Sequence, residues 1–248
     1  MKKIDEWKFE EKYGMKGWDF SHLDGRWENE TLPWNYVKLV LKYLRDDMKL
    51  LDMGTGGGEL LRNFHHPFQN TIVTEAWKPN IEFLYKNLSD TGIVIIESEN
   101  ESDLPVNDES LDIITNSHAA FDIDLINKKL KKNGLFITQQ VGALNNYSLS
   151  KYFDSDYSIA YPENTLLNTL IDCENSGFEI IYYDEYKPTM KFFDVGAIVY
   201  YASVIPWEFP NFSVENDLKK LNDLDKLINK FGYVSTNEDR FMLIVRKK

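Results

Sequence analysis

Cysteine is almost absent from this chain. Cys173 is the only one among 248 residues, which excludes an intramolecular disulfide and any cluster of cysteine ligands around a metal. A lone cysteine within a helical pattern is typical of a small, buried, apolar side chain. The cysteine content therefore agrees with a reducing compartment.

Long apolar runs are also missing. The longest, residues 195–205, is shorter than the roughly 18 apolar residues that a membrane-spanning helix needs. The first residues, MKKIDEWKFEEKYG, are charged and contain no apolar core of a signal peptide. We therefore expect a cytoplasmic protein that does not insert into a membrane.

Positive charge is scarce relative to negative charge. The chain has 28 Lys and Arg residues against 40 Asp and Glu residues, a formal net charge of -12. Proteins that grip nucleic acid through its phosphates usually present a basic surface, so the composition argues against a nucleic-acid partner. The one dense basic cluster is expected on a solvated face near the end of a predicted helix. It consists of Lys128, Lys129, Lys131 and Lys132.

What the chain does contain is an alternation of strand-like and helix-like segments. This alternation is typical of a mostly parallel sheet covered by helices on both faces. We therefore predict an α/β, Rossmann-like fold with a seven-stranded, mostly parallel sheet. The predicted strands are residues 49–53, 71–74, 93–96, 111–115, 135–141, 178–186 and 241–246. Helices are predicted at 59–64, from 78 to the glycine at 92, at 123–132 and at 162–176.

A glycine-rich stretch interrupts this alternation. Residues 50–61 read LLDMGTGGGELL, where a strand is predicted to turn sharply into a helix. A dinucleotide fingerprint needs a third glycine at position 59, which is Glu59, and a phosphate-binding P-loop needs a lysine followed by Ser or Thr. Both patterns fail. A plain glycine-rich turn is the simplest alternative to a ligand-binding loop.

The pattern that fits is D-x-G-x-G-x-G, at Asp52, Gly54, Gly56 and Gly58. An acidic residue, Glu75, ends the second predicted strand, and the sequence NESDLP at 100–105 precedes LDII at 111–114. In these features residues 48–141 resemble the class I methyltransferases that depend on S-adenosylmethionine (SAM). The resemblance implies SAM as the cofactor.

The resemblance also implies which residues bind SAM. Asp52 is expected to attract its cationic groups, and the glycines to let its methionine part lie against backbone N–H groups. Glu75 is expected to accept hydrogen bonds from the ribose hydroxyls, although a carboxylate at a strand end is often only a helix cap. Asn100 stands where the family usually has an aspartate near the adenine. The residues expected to bind the cofactor are Asp52, Gly54, Thr55, Gly56, Gly58, Glu75, Ala76, Asn100, Glu101 and Asn116.

Under this prediction residues 1–248 form a single methyltransferase domain. Its parts are an aromatic N-terminal cap (1–46), a cofactor-binding core (47–186), an insertion (187–235) and a last strand (236–248). The leucines within 213–231 make one apolar stripe, which predicts an amphipathic helix in the insertion. We expect the cap and the insertion to cover the open edge of the site.

The segment NSHAAF, residues 116–121, follows the fourth predicted strand. It lacks the N/D-P-P-Y/F tetrad of the amino-methyltransferases of DNA and of protein glutamine, which argues against an exocyclic amine or amide acceptor. Asn116 is expected to offer its backbone carbonyl to the ammonium of SAM. His118 is a candidate general base, with a capping or packed histidine as the alternative. His65 and His66 have no carboxylate at metal-ligand spacing, so we predict no metal site.

Several segments outside the core resemble an uncharacterised bacterial branch of the UbiE-like, type 11 methyltransferases. These segments are 17–26, 32–36, 194–197 and 205–210. The branch implies no substrate. Aromatic side chains that could line an apolar acceptor pocket, or else pack the cap onto the sheet, are Trp18, Trp34, Tyr36 and Trp207. Arg26 is a candidate for holding the carboxylate of the cofactor, or for a surface ion pair.

The sequence therefore predicts a methyltransferase that uses SAM and a small-molecule acceptor; it makes no prediction of the oligomeric state. Two alternatives stay open. One is an RNA methyltransferase with a local basic face, whose binding would weaken steeply with salt. The other is a protein that binds SAM without catalysis. An NAD-dependent enzyme is disfavoured by Glu59.

Overall fold

In the computed structural model, the described residues are 3–15, 18–98 and 104–248. Their strands and α-helices are numbered in chain order. The strands are β1 (Trp27–Asn29), β2 (Leu50–Met53), β3 (Thr71–Glu75), β4 (Val94–Glu97), β5 (Leu111–Ser117), β6 (Leu130–Val141), β7 (Phe178–Tyr186), β8 (Thr189–Phe192), β9 (Val234–Asn237) and β10 (Arg240–Lys247). The helices are α1 (Lys3–Tyr13), α2 (Tyr36–Tyr43), α3 (Glu59–Arg62), α4 (Lys78–Leu88), α5 (Ile123–Lys129), α6 (Tyr147–Phe153), α7 (Leu166–Asn175), α8 (Val195–Val204) and α9 (Leu218–Phe231).

The chain divides into two compact units. The first unit consists of Met1–Leu32, Gly142–Glu163 and Tyr186–Arg240. The second unit consists of Pro33–Val141, Asn164–Glu185 and Phe241–Lys248. The glycine pattern lies in the second unit. The predicted division of residues 1–248 into cap, core, insertion and last strand stays a prediction.

The second unit contains a seven-stranded sheet with the strand order β4-β3-β2-β5-β6-β10-β7. The neighbours from β4 through β6 run parallel to one another. Strands β2 and β3 are buried along their whole length, as expected for strands with helices on both faces. The predicted α/β, Rossmann-like fold with a seven-stranded, mostly parallel sheet is confirmed.

The start of β6 differs from the sequence prediction. The helix expected over 123–132 ends at Lys129, and the strand begins at Leu130. Leu130 is fully buried and pairs with β5, so it belongs to the sheet. The expected solvated face is wrong for Lys129, because its stem is buried and its Nζ donates to the carbonyl of Val106 at 2.8 Å and to Asp108 Oδ1 at 2.9 Å.

The first unit contains an antiparallel sheet, β1-β8-β9, that the sequence did not predict. The apolar run at 195–205 forms helix α8, which is buried at every residue from 195 to 202. The amphipathic helix is confirmed as α9, although it begins at Leu218 rather than at 213. The core of this unit is rich in aromatic side chains, among them Trp7, Phe192 and Tyr201. None of the helices in the described ranges is long and apolar enough to cross a membrane.

We expect Leu221→Ala to destabilise the protein far more than Leu227→Ala, although both residues lie on α9. Leu221 is 0% exposed, whereas Leu227 is 44% exposed. Truncating a buried leucine leaves a cavity and costs about 2–5 kcal/mol, while an exposed truncation costs about 0.5 kcal/mol. Urea unfolding followed by tryptophan fluorescence measures both variants. Equal losses would contradict the burial of Leu221.

Candidate functional site

The glycine loop, residues 54–58, connects β2 to α3. Gly54, Gly56 and Gly58 have φ angles of 62°, 63° and 78°, in the left-handed region that side chains with a Cβ rarely adopt. Gly54 is also closely packed, since an added Cβ would lie 2.5 Å from the Cβ of Ala119. The loop therefore requires glycine at these positions for conformational reasons, and at Gly54 for steric reasons as well.

Glu75, at the end of β3, ties this loop to the sheet. Its carboxylate accepts hydrogen bonds from the N–H groups of Gly56 at 2.7 Å, Ala76 at 3.0 Å and Trp77 at 2.9 Å. The N–H of Thr55 adds a bond of 3.0 Å to the backbone of β3. A carboxylate offers about four lone-pair directions. Glu75 therefore caps backbone N–H groups and keeps acceptor capacity for a ligand.

Asp52 lies near the end of β2 and is 3% exposed. The hydroxyl of Thr115, on β5, donates to its Oδ1 at 2.6 Å. Burial raises the pKa of Asp52 to about 6, because the surrounding protein solvates the charge less well than water does. Near neutral pH this carboxylate is ionised in a surrounding of low dielectric constant, where it attracts a cation strongly.

Asn116 lies on β5 and is fully buried. Its Oδ1 accepts hydrogen bonds from Gln140 Nε2 at 2.7 Å and from Thr138 Oγ1 at 3.2 Å. Its backbone carbonyl accepts one from the hydroxyl of Tyr36 at 2.9 Å. Its Nδ2 has no hydrogen-bond partner among the residues that the structure describes. This buried donor is available to a ligand oxygen.

Three polar residues of this network belong to no recognised sequence motif and are not among the predicted site residues. They are Thr115, Thr138 and Gln140. A signal for them exists in the sequence, because polar residues interrupt otherwise apolar strand patterns at 115–117 and 138–140. A buried polar side chain needs a hydrogen-bond partner. Polar residues in two neighbouring central strands therefore indicate a shared network.

His118 directly follows β5 and is exposed. Its φ is 66°, and its N–H donates to the carbonyl of Gln139 at 2.9 Å. The predicted role of its ring as a base stays a prediction. Asn100 and Glu101, which were predicted to bind the cofactor, lie outside the described residues.

The four aromatic residues predicted for an acceptor pocket are divided between the units. Trp34 and Tyr36 belong to the second unit and are buried. Trp18 and Trp207 belong to the first unit, where their rings lie edge to face with centroids 5.9 Å apart. These two rings are 65% and 37% exposed, so they present aromatic surface to solvent.

Arg26, in the first unit, lies in a network of ion pairs. Its Nε and Nη2 donate to the two carboxylate oxygens of Asp194 at 2.9 Å and 2.7 Å, and its Nη1 lies 3.0 Å from Glu10 Oε1. The ion pair that the sequence left open is therefore present, and it is partly buried. The predicted role of Arg26 in holding a carboxylate stays a prediction.

The histidine pair, His65 and His66, lies between α3 and β3. His66 is buried, with Nδ1 3.0 Å from Thr71 Oγ1 and Nε2 3.2 Å from the carbonyl of Arg45, so both ring nitrogens have protein partners. Over residues 3–15, 18–98 and 104–248, no group of three or more His, Cys, Asp or Glu side chains could hold a metal ion.

Comparison with known proteins identifies a family for the central part of the chain. Residues 51–138 match the model of the Methyltransf_11 family, which is described as a methyltransferase domain. The matched segment runs from β2 into β6 and includes Asp52, the glycine loop, Glu75 and Asn116. No curated protein sequence matches the chain.

Solved structures share the fold. The YcgJ protein of Bacillus subtilis is 17% identical over 86% of this chain and 98% of that one, with a TM-score of 0.58. The [4+2]-cyclase SpnF is 15% identical over 85% and 80%, with a TM-score of 0.53. An S-adenosylmethionine-dependent methyltransferase from Mesorhizobium loti is 13% identical over 85% and 96%, with a TM-score of 0.51. At these identities the likeness shows the fold alone, and one fold can serve different reactions.

We expect Gly54→Ala to be more destabilising than Gly25→Ala. Both glycines have positive φ, 62° and 73°, but a Cβ at Gly54 would lie 2.5 Å from Ala119 Cβ, whereas one at Gly25 meets nothing within 4 Å. The strained backbone costs about 1–2 kcal/mol in each variant, and the clash adds about 1–3 kcal/mol at Gly54 alone. Urea unfolding of the two variants measures their stability. An equal fall of the urea midpoint in both variants would contradict the steric clash at Gly54.

The buried carboxyl of Asp52 predicts a pH dependence of stability. Its pKa is raised from 3.8 to about 6 in the folded protein. Such a group contributes stability that is fully present below the unfolded pKa and is lost as the pH rises through the folded pKa. Asp52→Asn removes this titration. Between pH 4.5 and pH 7.5 we therefore expect the wild type to lose about 2 kcal/mol of unfolding free energy relative to the variant.

Urea unfolding at both pH values measures this difference. Because the other titrating groups are common to both proteins, their contributions cancel in the comparison. A parallel pH dependence of the wild type and Asp52→Asn would contradict the raised pKa.

Proposed function

We propose that the protein transfers a methyl group from SAM to a small-molecule acceptor. The premise is that residues 51–138 match the model of a methyltransferase domain. The family uses SAM as its methyl donor. When bound, SAM supplies an electrophilic methyl group on a sulfonium. Transfer is an in-line displacement, to which a protein contributes chiefly alignment and the exclusion of water.

The observation that carries this proposal is where the acidic and glycine residues lie in the sheet. From β2 the chain proceeds to β3 and β4 on one side, and then to β5 and β6 on the other. Parallel α/β sheets bind ligands outside the carboxyl ends of the strands at such a reversal. Asp52 and the glycine loop follow β2, Glu75 ends β3, and Asn116 lies near the end of β5.

The chemistry of these residues fits SAM. The glycine loop offers backbone without Cβ atoms at three left-handed positions. Asp52 is a buried carboxylate that suits a cationic ligand, and Glu75 keeps acceptor capacity for one ribose hydroxyl. Asn116 has a buried Nδ2 without a partner in the described ranges, which suits a ligand oxygen.

Charge pairing favours a small molecule over RNA as the acceptor. Lys128 and Lys129 pair with Asp108 at 3.5 Å and 2.9 Å, and Lys131 pairs with Asp112 at 2.8 Å. Carboxylates therefore neutralise much of the one dense basic cluster, which leaves less charge for phosphate contacts.

The residue proposed for the acceptor side is His118. His118 is exposed directly after β5, and we assign it the role of a base for acceptors that must lose a proton. Trp18 and Trp207 present aromatic surface in the first unit, and their part in an acceptor pocket stays a prediction.

Calorimetry tests the cofactor. We expect SAM and S-adenosylhomocysteine to bind the wild type with micromolar affinity, and at least about tenfold more weakly in Asp52→Ala and in Glu75→Ala. The matched control is Glu82→Ala, which removes an exposed carboxylate on α4 and is expected to leave both affinities unchanged. Binding of NADH alone, or of none of these compounds, would refute the proposal.

Formation of S-adenosylhomocysteine tests the reaction. The protein is incubated with SAM and either a panel of small molecules or total RNA, the latter at low and high salt. Turnover with a small molecule supports the proposal. Turnover with RNA that falls steeply with salt would favour the RNA alternative, and tight binding of SAM without turnover on any acceptor would favour a binding protein.

A further inference from the structure

The hydroxyl of Tyr36 occupies an unusual position between two neighbouring strands. Tyr36 begins helix α2 and is 5% exposed. Its oxygen lies 2.9 Å from the carbonyl oxygen of Asn116 and 3.1 Å from its backbone nitrogen, on β5. It also lies 3.1 Å from the carbonyl oxygen of Ile137, on β6. The side chain thus bridges the backbones of two adjacent parallel strands near their carboxyl ends.

The stoichiometry of a hydroxyl limits what this bridge can do. A hydroxyl accepts through its lone pairs but has a single proton to donate. The Tyr36 oxygen can accept the N–H of Asn116, while its proton goes either to the carbonyl of Asn116 or to that of Ile137. Burial, followed by the charge of Asp52, raises the pKa of Tyr36 well above its usual value, so the proton stays on the oxygen near neutral pH.

The rest of Asn116 is held firmly. Its Oδ1 accepts from Thr138 and Gln140, and Gln140 Nε2 also donates to the carbonyl of Ala119 at 3.1 Å. Asn116 therefore keeps its position, and the direction of its backbone carbonyl, whether or not a ligand is bound. The proton of Tyr36, in contrast, can change its acceptor by rotation about the C–O bond alone.

We propose that Tyr36 is a positioning residue for the amino-acid part of SAM. When a ligand ammonium takes the carbonyl of Asn116, the Tyr36 hydroxyl turns to the carbonyl of Ile137, so that no buried polar group loses its partner. In the absence of such a ligand the Tyr36 hydroxyl donates its hydrogen bond to the carbonyl of Asn116 again. This inference rests on the proposed function, because it assumes that SAM is the ligand.

A purely structural role for Tyr36 makes a different prediction. Its ring packs near Phe64, with centroids 6.3 Å apart, and could simply anchor α2 on the sheet. Loss of such an anchor would weaken the binding of every ligand of the site equally. Loss of a hydroxyl that positions the ammonium would weaken the binding of only those ligands that carry an amino-acid part.

Calorimetry on Tyr36→Phe separates the two roles. Phenylalanine keeps the ring and removes only the hydroxyl, and Tyr85→Phe, at a tyrosine that is 43% exposed on α4, is the matched control. The probes are SAM, S-adenosylhomocysteine and 5′-methylthioadenosine, which lacks the amino-acid part. We expect Tyr36→Phe to weaken the binding of SAM and S-adenosylhomocysteine by about tenfold or more. The affinity for 5′-methylthioadenosine should change by less than about twofold.

Equal weakening of all three probes, or of none, would overturn the inference while leaving the proposed function intact. Failure of the wild type to bind any of them would overturn the proposed function itself, and the inference with it. A measurement on the wild type covers the case in which Tyr36→Phe does not fold. The ¹³C resonance of the Ile137 carbonyl should shift with SAM and S-adenosylhomocysteine but not with methylthioadenosine, and a uniform response would count against the switch.

Discussion

One carboxylate holds the glycine loop in its conformation. Glu75 accepts hydrogen bonds from Gly56, Ala76 and Trp77, which fixes the loop, the end of β3 and the start of α4 together. Bonds from N–H groups to a carboxylate are stronger than those to a neutral acceptor, so a single side chain can hold three backbone groups in place. A ligand that binds Glu75 would share the carboxylate with the backbone and would meet a loop that is already shaped.

The strand ends beside this loop concentrate buried polar groups in an otherwise apolar sheet. Asp52, Thr115, Asn116 and Gln140 lie within a few ångströms of hydrogen-bond partners on β2, β5 and β6. Burying a charge costs free energy, and this desolvation raises the pKa of Asp52. The buried Nδ2 of Asn116 has no partner in the part of the chain that the structure describes. In a ligand with a cation and oxygen acceptors, the cation would pair with Asp52 and an oxygen would accept a hydrogen bond from Asn116 Nδ2.

The first unit depends on a different interaction, the ion pairs of Arg26. This guanidinium binds Asp194 with two hydrogen bonds and also contacts Glu10 on α1. Asp194 in turn accepts the N–H of Ala197 at 2.8 Å and so caps helix α8. Segments that lie far apart in the chain are thereby fixed at one point, and the planar guanidinium suits this bidentate geometry.

The sequence by itself determined the strands of the large sheet, the glycine loop and the acidic residues at the strand ends. These features are encoded by local periodicity and by backbone conformations that only glycine adopts readily. Only the tertiary structure decided the pairing of β1, β8 and β9, the burial of Lys129, the partners of Arg26 and the place of the Tyr36 hydroxyl between two strands. Each of these joins residues that are distant in the chain, and no local pattern specifies which distant group will satisfy a buried donor or charge.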